Sequence, residues 1–238
     1  MSERQGFFET IADHFVPIHS DGHKFLAVGL GLMLLGFLVW SPLGWLFALL
    51  TAWLAFFFRD PDRVTPLREG LVVAPADGRV SQIEKVLPPS EFGFTDGMER
   101  TRISIVLSIF DVHINRSPVA GRIARSLYVP GAFLNPTLDK ASEDNERRAL
   151  IIAMPSGDEI AVVQIAGVIS RRIVTFAHEG DSVGVGQRFG LIRFGSRLDL
   201  YLPPDRHPLV SVGQRAVAGE TVIADLRSDE PEREARRS

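Results

Sequence analysis

The sequence predicts a mainly β protein: an antiparallel β sandwich or barrel-like domain with barrel-sandwich-type hairpins, preceded by an N-terminal apolar helical hairpin. Three observations predict it. Beyond residue 66 the chain is written in short β-branched runs such as "RISIVLSIF", "ALIIAMPSGDEIAVVQIAGVI" and "TVIADL", punctuated by Gly, Pro, Asp and Ser. Residues 25–58, "FLAVGLGLMLLGFLVWSPLGWLFALLTAWLAFFF", contain no charged side chain. Within "RFGSRLDLYLP" (193–203), Phe194, Leu198, Leu200 and Leu202 alternate with Arg193, Arg197, Asp199 and Tyr201, the period of a strand.

Residues 1–24 read as a cytoplasmic segment. The uncharged run that follows would be about 50 Å long as one helix, against a hydrocarbon core of about 30 Å. "SPLG" (41–44) is expected to break it into a hairpin that spans or dips into the bilayer. Lys24 lies before the run and Arg59, Arg63 and Arg68 after it, with no basic residue in the turn, so both ends face the cytoplasm by the positive-inside tendency. All three tryptophans, Trp40, Trp45 and Trp53, fall in this segment, as interfacial anchors do. A cleaved signal would start nearer the terminus, and a soluble helix pair would show a polar face on each helix.

The linker "RDPDRVTP" (59–66) leads into the β domain, expected over 59–226. "PSGDE" (155–159) is a tight turn between two strands. "EGDSVGVGQRFGLI" (179–192) and "VSVGQRAVAGETVIADL" (210–226) each hold a Val-x-x-Gly-Gln turn feeding a strand. The first resembles the hairpins of lipoyl- and biotinyl-type barrel-sandwich modules, a likeness of fold only. "PSEFGFTDGMER" (89–100) reads as a polar excursion, and the long loop 129–148, with Phe133 and Leu134 among its charges, as a lid. The tail 227–238 is expected to be disordered.

Composition narrows the chemistry. A formal net charge of −3 gives no basic field for nucleic acid. The absence of cysteine removes disulfides, thiolate nucleophiles and cysteine metal sites. No HExxH, P-loop or GxGxxG pattern occurs, and the lysines are only Lys24, Lys85 and Lys140.

Against that background Gly195-Ser196 stands out, because a hydroxyl falls on the apolar face of a strand directly behind a residue with no side chain. A small polar residue there is ordinarily packing. It also permits chemistry. The Ser196 hydroxyl can attack the unhindered Gly195 carbonyl, shift the chain from amide to ester, and cut it by β-elimination. The new N-terminus then becomes a pyruvoyl group, which can form a Schiff base with a substrate amine and act as an electron sink. The reaction needs a base and an orienter. Asp77 in "APADGRV" (74–80) and His113 in "SIFDVHINRSPVAG" (108–121) are candidates, although Asp-Gly is also a common turn pair and a histidine at a strand end is often structural.

"PADGRV", "FDVHINRSPVAG", "LNPTLDKASEDNER" and "RFGSRLDLYLP", in this order behind an apolar hairpin, resemble a pyruvoyl-dependent phosphatidylserine decarboxylase proenzyme of the short bacterial and archaeal type. The resemblance covers about residues 20–226. It implies self-cleavage between Gly195 and Ser196 into a membrane-associated β subunit (1–195) and a small α subunit (196–238). These subunits would form a heterodimer, with a homodimer of heterodimers possible. It implies conversion of phosphatidylserine in the membrane to phosphatidylethanolamine and CO₂ on the cytoplasmic side of the cell membrane. The cofactor would be a covalent pyruvoyl group from Ser196, with no pyridoxal phosphate, no metal and no nucleic acid. It also implies an Asp–His–Ser arrangement, with Asp77 on the family aspartate. Longer relatives carry two histidines where this chain has His113 and Arg116, so His113 serves both tasks or His178 or His207 substitutes. The anionic headgroup calls for cations; Arg116, Lys140, Arg171 and Arg172 are candidates, with Phe133 on the covering loop. A decarboxylase for archaetidylserine or a related serine phospholipid carries the same signature. A non-enzymatic membrane-tethered barrel-sandwich adaptor would explain the hairpin and the glycine turns, but not Gly195-Ser196 or "DVHINR".

Overall fold

The computed structural model describes residues 16–131, 145–167, 172–193 and 196–228, with 230 and 233. The chain divides into two compact units, one ending at Asp62 and one beginning at Arg63.

The first unit is a helical hairpin. Helix α1 runs Ser20–Val39 and helix α2 Ser41–Phe57. The break falls at Trp40, which is extended (φ −164°, ψ 119°), while Ser41 and Pro42 already belong to the first turn of α2. Pro42 thus starts the second helix, where its missing N–H costs nothing, instead of ending the first. The buried residues of α1 are glycines, Gly22, Gly29 and Gly36. A side chain at Gly36 would lie 2.9 Å from the Gly44 nitrogen of α2, so glycine sets how closely the helices approach. The apolar side chains therefore point away from the partner helix: Val28, Leu34, Leu38, Val39, Trp45 and Leu49 are all exposed. Helix α1 is long and apolar enough to cross a membrane, and α2 is shorter.

The second unit is mainly antiparallel β. Its large sheet contains β2 (Gly78–Val86), β3 (Arg100–Leu107), β5 (Gly121–Val129), β6 (Arg147–Ala153), β7 (Glu159–Ala166), β9 (Ser182–Val183), β11 (Ser196–Tyr201) and β12 (Arg215–Ala216), in the order β12-β2-β3-β11-β7-β6-β5-β9. Strands β4 (Ile114–Arg116), β10 (Arg188–Ile192) and β8 (Ile173–Thr175) form a second sheet. Strands β1 (Leu71–Val73) and β13 (Val222–Asp225) form a third. The main core lies on one face of the large sheet, where Ile103, Ile105, Leu150, Val162, Leu198 and Leu200 are fully buried. Each such side chain contributes about 1.5–3 kcal/mol by leaving water. The excursion at 89–100 is less polar than its composition suggests. A 3₁₀ turn at Ser90–Phe92 buries Phe92 against Tyr201, ring centroids 5.5 Å apart, and seeds a second apolar cluster with Ile151, Val163 and Ile165.

The sheet order reads the same from both ends, and the hydrogen bonds repeat accordingly. Val73 N–H donates to the Pro118 carbonyl and Arg116 N–H to the Pro75 carbonyl, both at 2.9 Å. Strand β2 bulges between Val80 and Gln82, and β5 between Ile123 and Arg125. Gly213 N–H donates to Val80 as Gly180 N–H donates to Ile123, and Gly219 N–H to Ala74 as Gly186 N–H to Ser117. The four turn glycines match in backbone, with φ of 92° at both 180 and 213, and 73° and 78° at 186 and 219. Only glycine takes that conformation without strain. The β unit therefore has an internal pseudo-two-fold, with β1, β2 and β3 the counterparts of β4, β5 and β6. The Gly-Gln pairs that match by sequence are not the equivalent ones: Gly213-Gln214 occupies the place of Gly180-Asp181, and Gly186-Gln187 that of Gly219-Glu220.

Candidate active site

Ser196 is the first residue of β11, an interior strand. Its Cα is paired with Leu107 of β3 on one side and Ala166 of β7 on the other. Ala166 is itself pinned: its N–H donates to the Glu146 carbonyl (2.9 Å), and its carbonyl accepts from Asn145 Nδ2 (2.8 Å). Beyond Ser196, both faces of the strand are buried. Leu198 and Leu200 enter the main core, while Arg197 and Asp199, each 1% exposed on the other face, form a two-pronged ion pair of 2.6 and 2.9 Å. A guanidinium fork on a carboxylate is the geometry that tolerates burial. Burial, with the Asp199 charge second, pushes the neighbouring Tyr201 phenol up to about 12.

The chain reaches Ser196 from β10. There Ile192 N–H donates to the His113 carbonyl and Arg193 N–H to the Arg172 carbonyl, both at 3.4 Å. His113, 2% exposed, immediately precedes β4. Its Nδ1 lies 2.9 Å from the Asp111 carbonyl oxygen. A carbonyl only accepts, so this contact selects the Nδ1–H tautomer and leaves Nε2 with a lone pair, the form a general base requires. The Asp111 carboxylate holds the preceding turn, accepting from the Ser108 N–H (2.8 Å) and from the Arg215 guanidinium.

Asp77 lies in the turn between β1 and β2. Its Oδ2 accepts from Arg63 at 2.7 Å and its Oδ1 from the Ala218 N–H at 2.8 Å. Burial raises the carboxyl above its ordinary value. The Ala218 hydrogen bond and then Arg63 pull it back, and Asp111 pushes it further up. Both oxygens are thus engaged by groups other than His113.

The pseudo-two-fold shows what these positions share. By register, Gly70 is the counterpart of His113, Ala120 of Asp77, Met154 of Leu107, Asp158 of Ser196, and Val185 of Ala218. Gly70, Ala120, Met154, Asp158 and Val185 all line one cavity of about 530 Å³. Asp77, His113 and the first residue of β11 hold the equivalent backbone positions in the other copy of the frame.

The remaining expected site residues divide into four groups. Arg116 is buried at the end of β4 and donates to the Gly186 carbonyl (3.0 Å). Arg172 is exposed beside the chain that leads to Ser196. Phe133, Lys140, Arg171, Gly195 and the side chain of Ser196 lie outside the described part of the structure, as do residues 1–15 and positions 229, 231, 232 and 234–238 of the tail. His178 is exposed, with its side chain 71% accessible and 3.7 Å from Asp181, and His207 is exposed too. Sequence reasoning missed Arg63, Asp111, Asn145 and the Arg197–Asp199 pair. Asp111 and Asn145 lay inside the quoted motifs, but Arg63 sits in what read as a linker.

The family model for phosphatidylserine decarboxylase matches residues 50–224. Among similar proteins, the phosphatidylserine decarboxylase proenzyme of Ruegeria pomeroyi is 56% identical over 211 residues, 89% of this chain and 96% of the relative. That of Nitrobacter winogradskyi is 57% identical over 211 residues (89% and 85%), and that of Cereibacter sphaeroides 56% over 218 residues (91% and 93%). With the motifs set on one frame and likeness extending over nearly the whole chain, the protein belongs to the phosphatidylserine decarboxylase family, carboxy-lyases made as proenzymes.

Proposed function

We propose that the chain cleaves itself between Gly195 and Ser196 and then decarboxylates phosphatidylserine at the membrane surface. What supports this reading is that Ala120, Gly70 and Asp158, the counterparts of Asp77, His113 and Ser196 on the repeated frame, line one cavity. In maturation, Ser196 Oγ adds to the Gly195 carbonyl carbon as its proton passes to His113 Nε2. The C–N bond breaks to leave an ester and a free amine. Loss of the residue-196 Cα proton then expels the Gly195 carboxylate, and the enamine left behind takes up water and releases ammonia. Asp77, a half-buried carboxylate, supplies negative charge that favours the protonated imidazole. After the cut, β11 stays in place because its pairing with β3 and β7 and the Arg197–Asp199 fork all lie downstream of the broken bond.

The residues present fit a pyruvoyl group: a serine opens an interior strand, a glycine precedes it, and a buried histidine accepts at its carbonyl from the Ile192 N–H of the incoming chain. Such a group supplies a carbonyl electron sink for an amine-bearing substrate. In this reading His113 would deliver a proton to the carbon that loses CO₂, and Arg172, exposed beside the incoming chain, would meet the anionic headgroup. The outward apolar surface of the helical hairpin supports membrane attachment on the cytoplasmic side, where the lipid substrate resides.

A denaturing gel with intact mass analysis of the purified chain tests the reading. Two fragments, the smaller starting at residue 196 with a blocked N-terminus, and release of CO₂ from phosphatidylserine vesicles are expected. A single intact band that is inert on vesicles would reject it.

A further inference from the structure

Asn115 and Gln164 are both 0% exposed. Gln164 Nε2 donates to Asn115 Oδ1 at 2.8 Å, and the remaining amide groups, Asn115 Nδ2 and Gln164 Oε1, are buried without a partner among the described residues. Exchanging oxygen and nitrogen in both amides reverses the bond and again leaves one donor and one acceptor unused. Gly190, paired with Asn115 across β4 and β10, makes room for the contact: a Cβ there would lie 2.9 Å from Gln164 Nε2.

The other half is an internal control. The counterpart of Asn115 is Val72, that of Gly190 is Ala224, and that of Gln164 is Leu202, all fully buried in the main core. The frame is therefore satisfied by aliphatic packing at these places. A half-satisfied amide pair is a net cost to stability that one half avoids and the other accepts. What differs is the surroundings. Asn115, in β4, is next but one to His113, which immediately precedes that strand, and Gln164 is next but one to Ala166, the residue paired with Ser196. The hydrogen bond between the two amides ties the strand that follows His113 to the strand paired with residue 196, across two different sheets.

We propose that Asn115 and Gln164 are positioning residues that hold His113 against the Gly195-Ser196 bond. This rests on the self-cleavage reading above. Acting through His113, they need not touch the reacting atoms.

The test is the double variant Asn115→Val, Gln164→Leu, which copies the aliphatic pair of the other half. In the full chain made by cell-free synthesis, it is expected to melt at or above the wild-type temperature. Its self-cleavage is expected to slow by about 10- to 100-fold, the effect of misplacing a catalytic group by about 1 Å. A folded double variant that cleaves within about twofold of the wild-type rate, on the scale where 10- to 100-fold is expected, overturns the proposal. Asn115→Asp guards against a double variant that does not fold. It is isosteric, keeps the acceptor for Gln164, and adds negative charge beside His113. The acid limb of its cleavage pH profile is expected to move up, since an adjacent anion raises an imidazole pKa. An unmoved profile counts against the proposal. A wild-type chain that stays whole under these conditions instead rejects the self-cleavage reading itself.

Discussion

The two halves of the β unit share a backbone and differ in what they place on it. Pro75-Ala76-Asp77-Gly78 and Pro118-Val119-Ala120-Gly121 make the same turn, yet only the first carries a carboxylate. Strands β6 and β7 are joined by the tight turn at Pro155–Asp158, where Met154 N–H meets the Asp158 carbonyl at 2.9 Å. Strands β3 and β11 are not consecutive, and the place of Asp158 is taken by Ser196, reached from β10. The proposed cut site thus stands where the other half has a hairpin turn. Strand β11, like its counterpart β7, is held from both sides, here by β3 and β7, so a break before Ser196 would leave its pairing intact. The comparison teaches that the frame is generic and that its two copies differ in the side chains they carry.

The largest effect expected from this contrast is at the paired positions 196 and 158. Ser196→Ala should give a folded, uncleaved and inactive chain on a denaturing gel, while Asp158→Ala should mature at the wild-type rate. Cleavage of Ser196→Ala after Gly195 would break the contrast.

Asp77→Ala and His113→Ala come next. Each is expected to slow maturation or lipid turnover by about 10²–10⁴-fold, the usual contribution of a general acid–base group. His178→Ala and His207→Ala, both at exposed positions, should change neither rate. First-order cleavage kinetics and CO₂ release separate the two tasks, and a fully active His113→Ala protein would move the base elsewhere.

Removing residues 1–58 should spare self-cleavage, because Asp77, His113 and Ser196 all lie in the unit that begins at Arg63. Activity on vesicles should fall by about 10²-fold or more, as loss of tethering lowers effective concentration. Activity on short-chain, water-soluble phosphatidylserine should fall far less. Equal losses on both substrates, with cleavage complete, would make the hairpin part of the lipid pocket.

The smallest effect expected is a pH shift. Burial holds the Asp77 carboxyl above its ordinary value and Arg63 lowers it, so Arg63→Gln should raise it further. Asp77 then gains its charge at higher pH, and the acid limb of the self-cleavage profile should move up by a fraction of a unit to about one unit. A downward move or none would show that the limb belongs to another group.

Much of this was legible in one dimension. Alternation located β11, an uncharged run located the hairpin, and four motifs in order located Asp77, His113 and Gly195-Ser196, because periodicity and local chemistry are properties of neighbouring residues. The break at Trp40 was displaced from "SPLG" because proline is as suited to open a helix as to stop one. The pseudo-two-fold was hidden. Its halves share turn glycines, prolines and bulges, which set the backbone, while the side chains diverged; matching Gly-Gln to Gly-Gln even selects turns that are not equivalent. Tertiary structure alone decided the partners. Arg63 reaches Asp77, Arg215 reaches Asp111, and Gln164 reaches Asn115 because the fold brings together loops and strands of different sheets. Register between strands is set by the whole core at once, so no local stretch of sequence could specify those contacts.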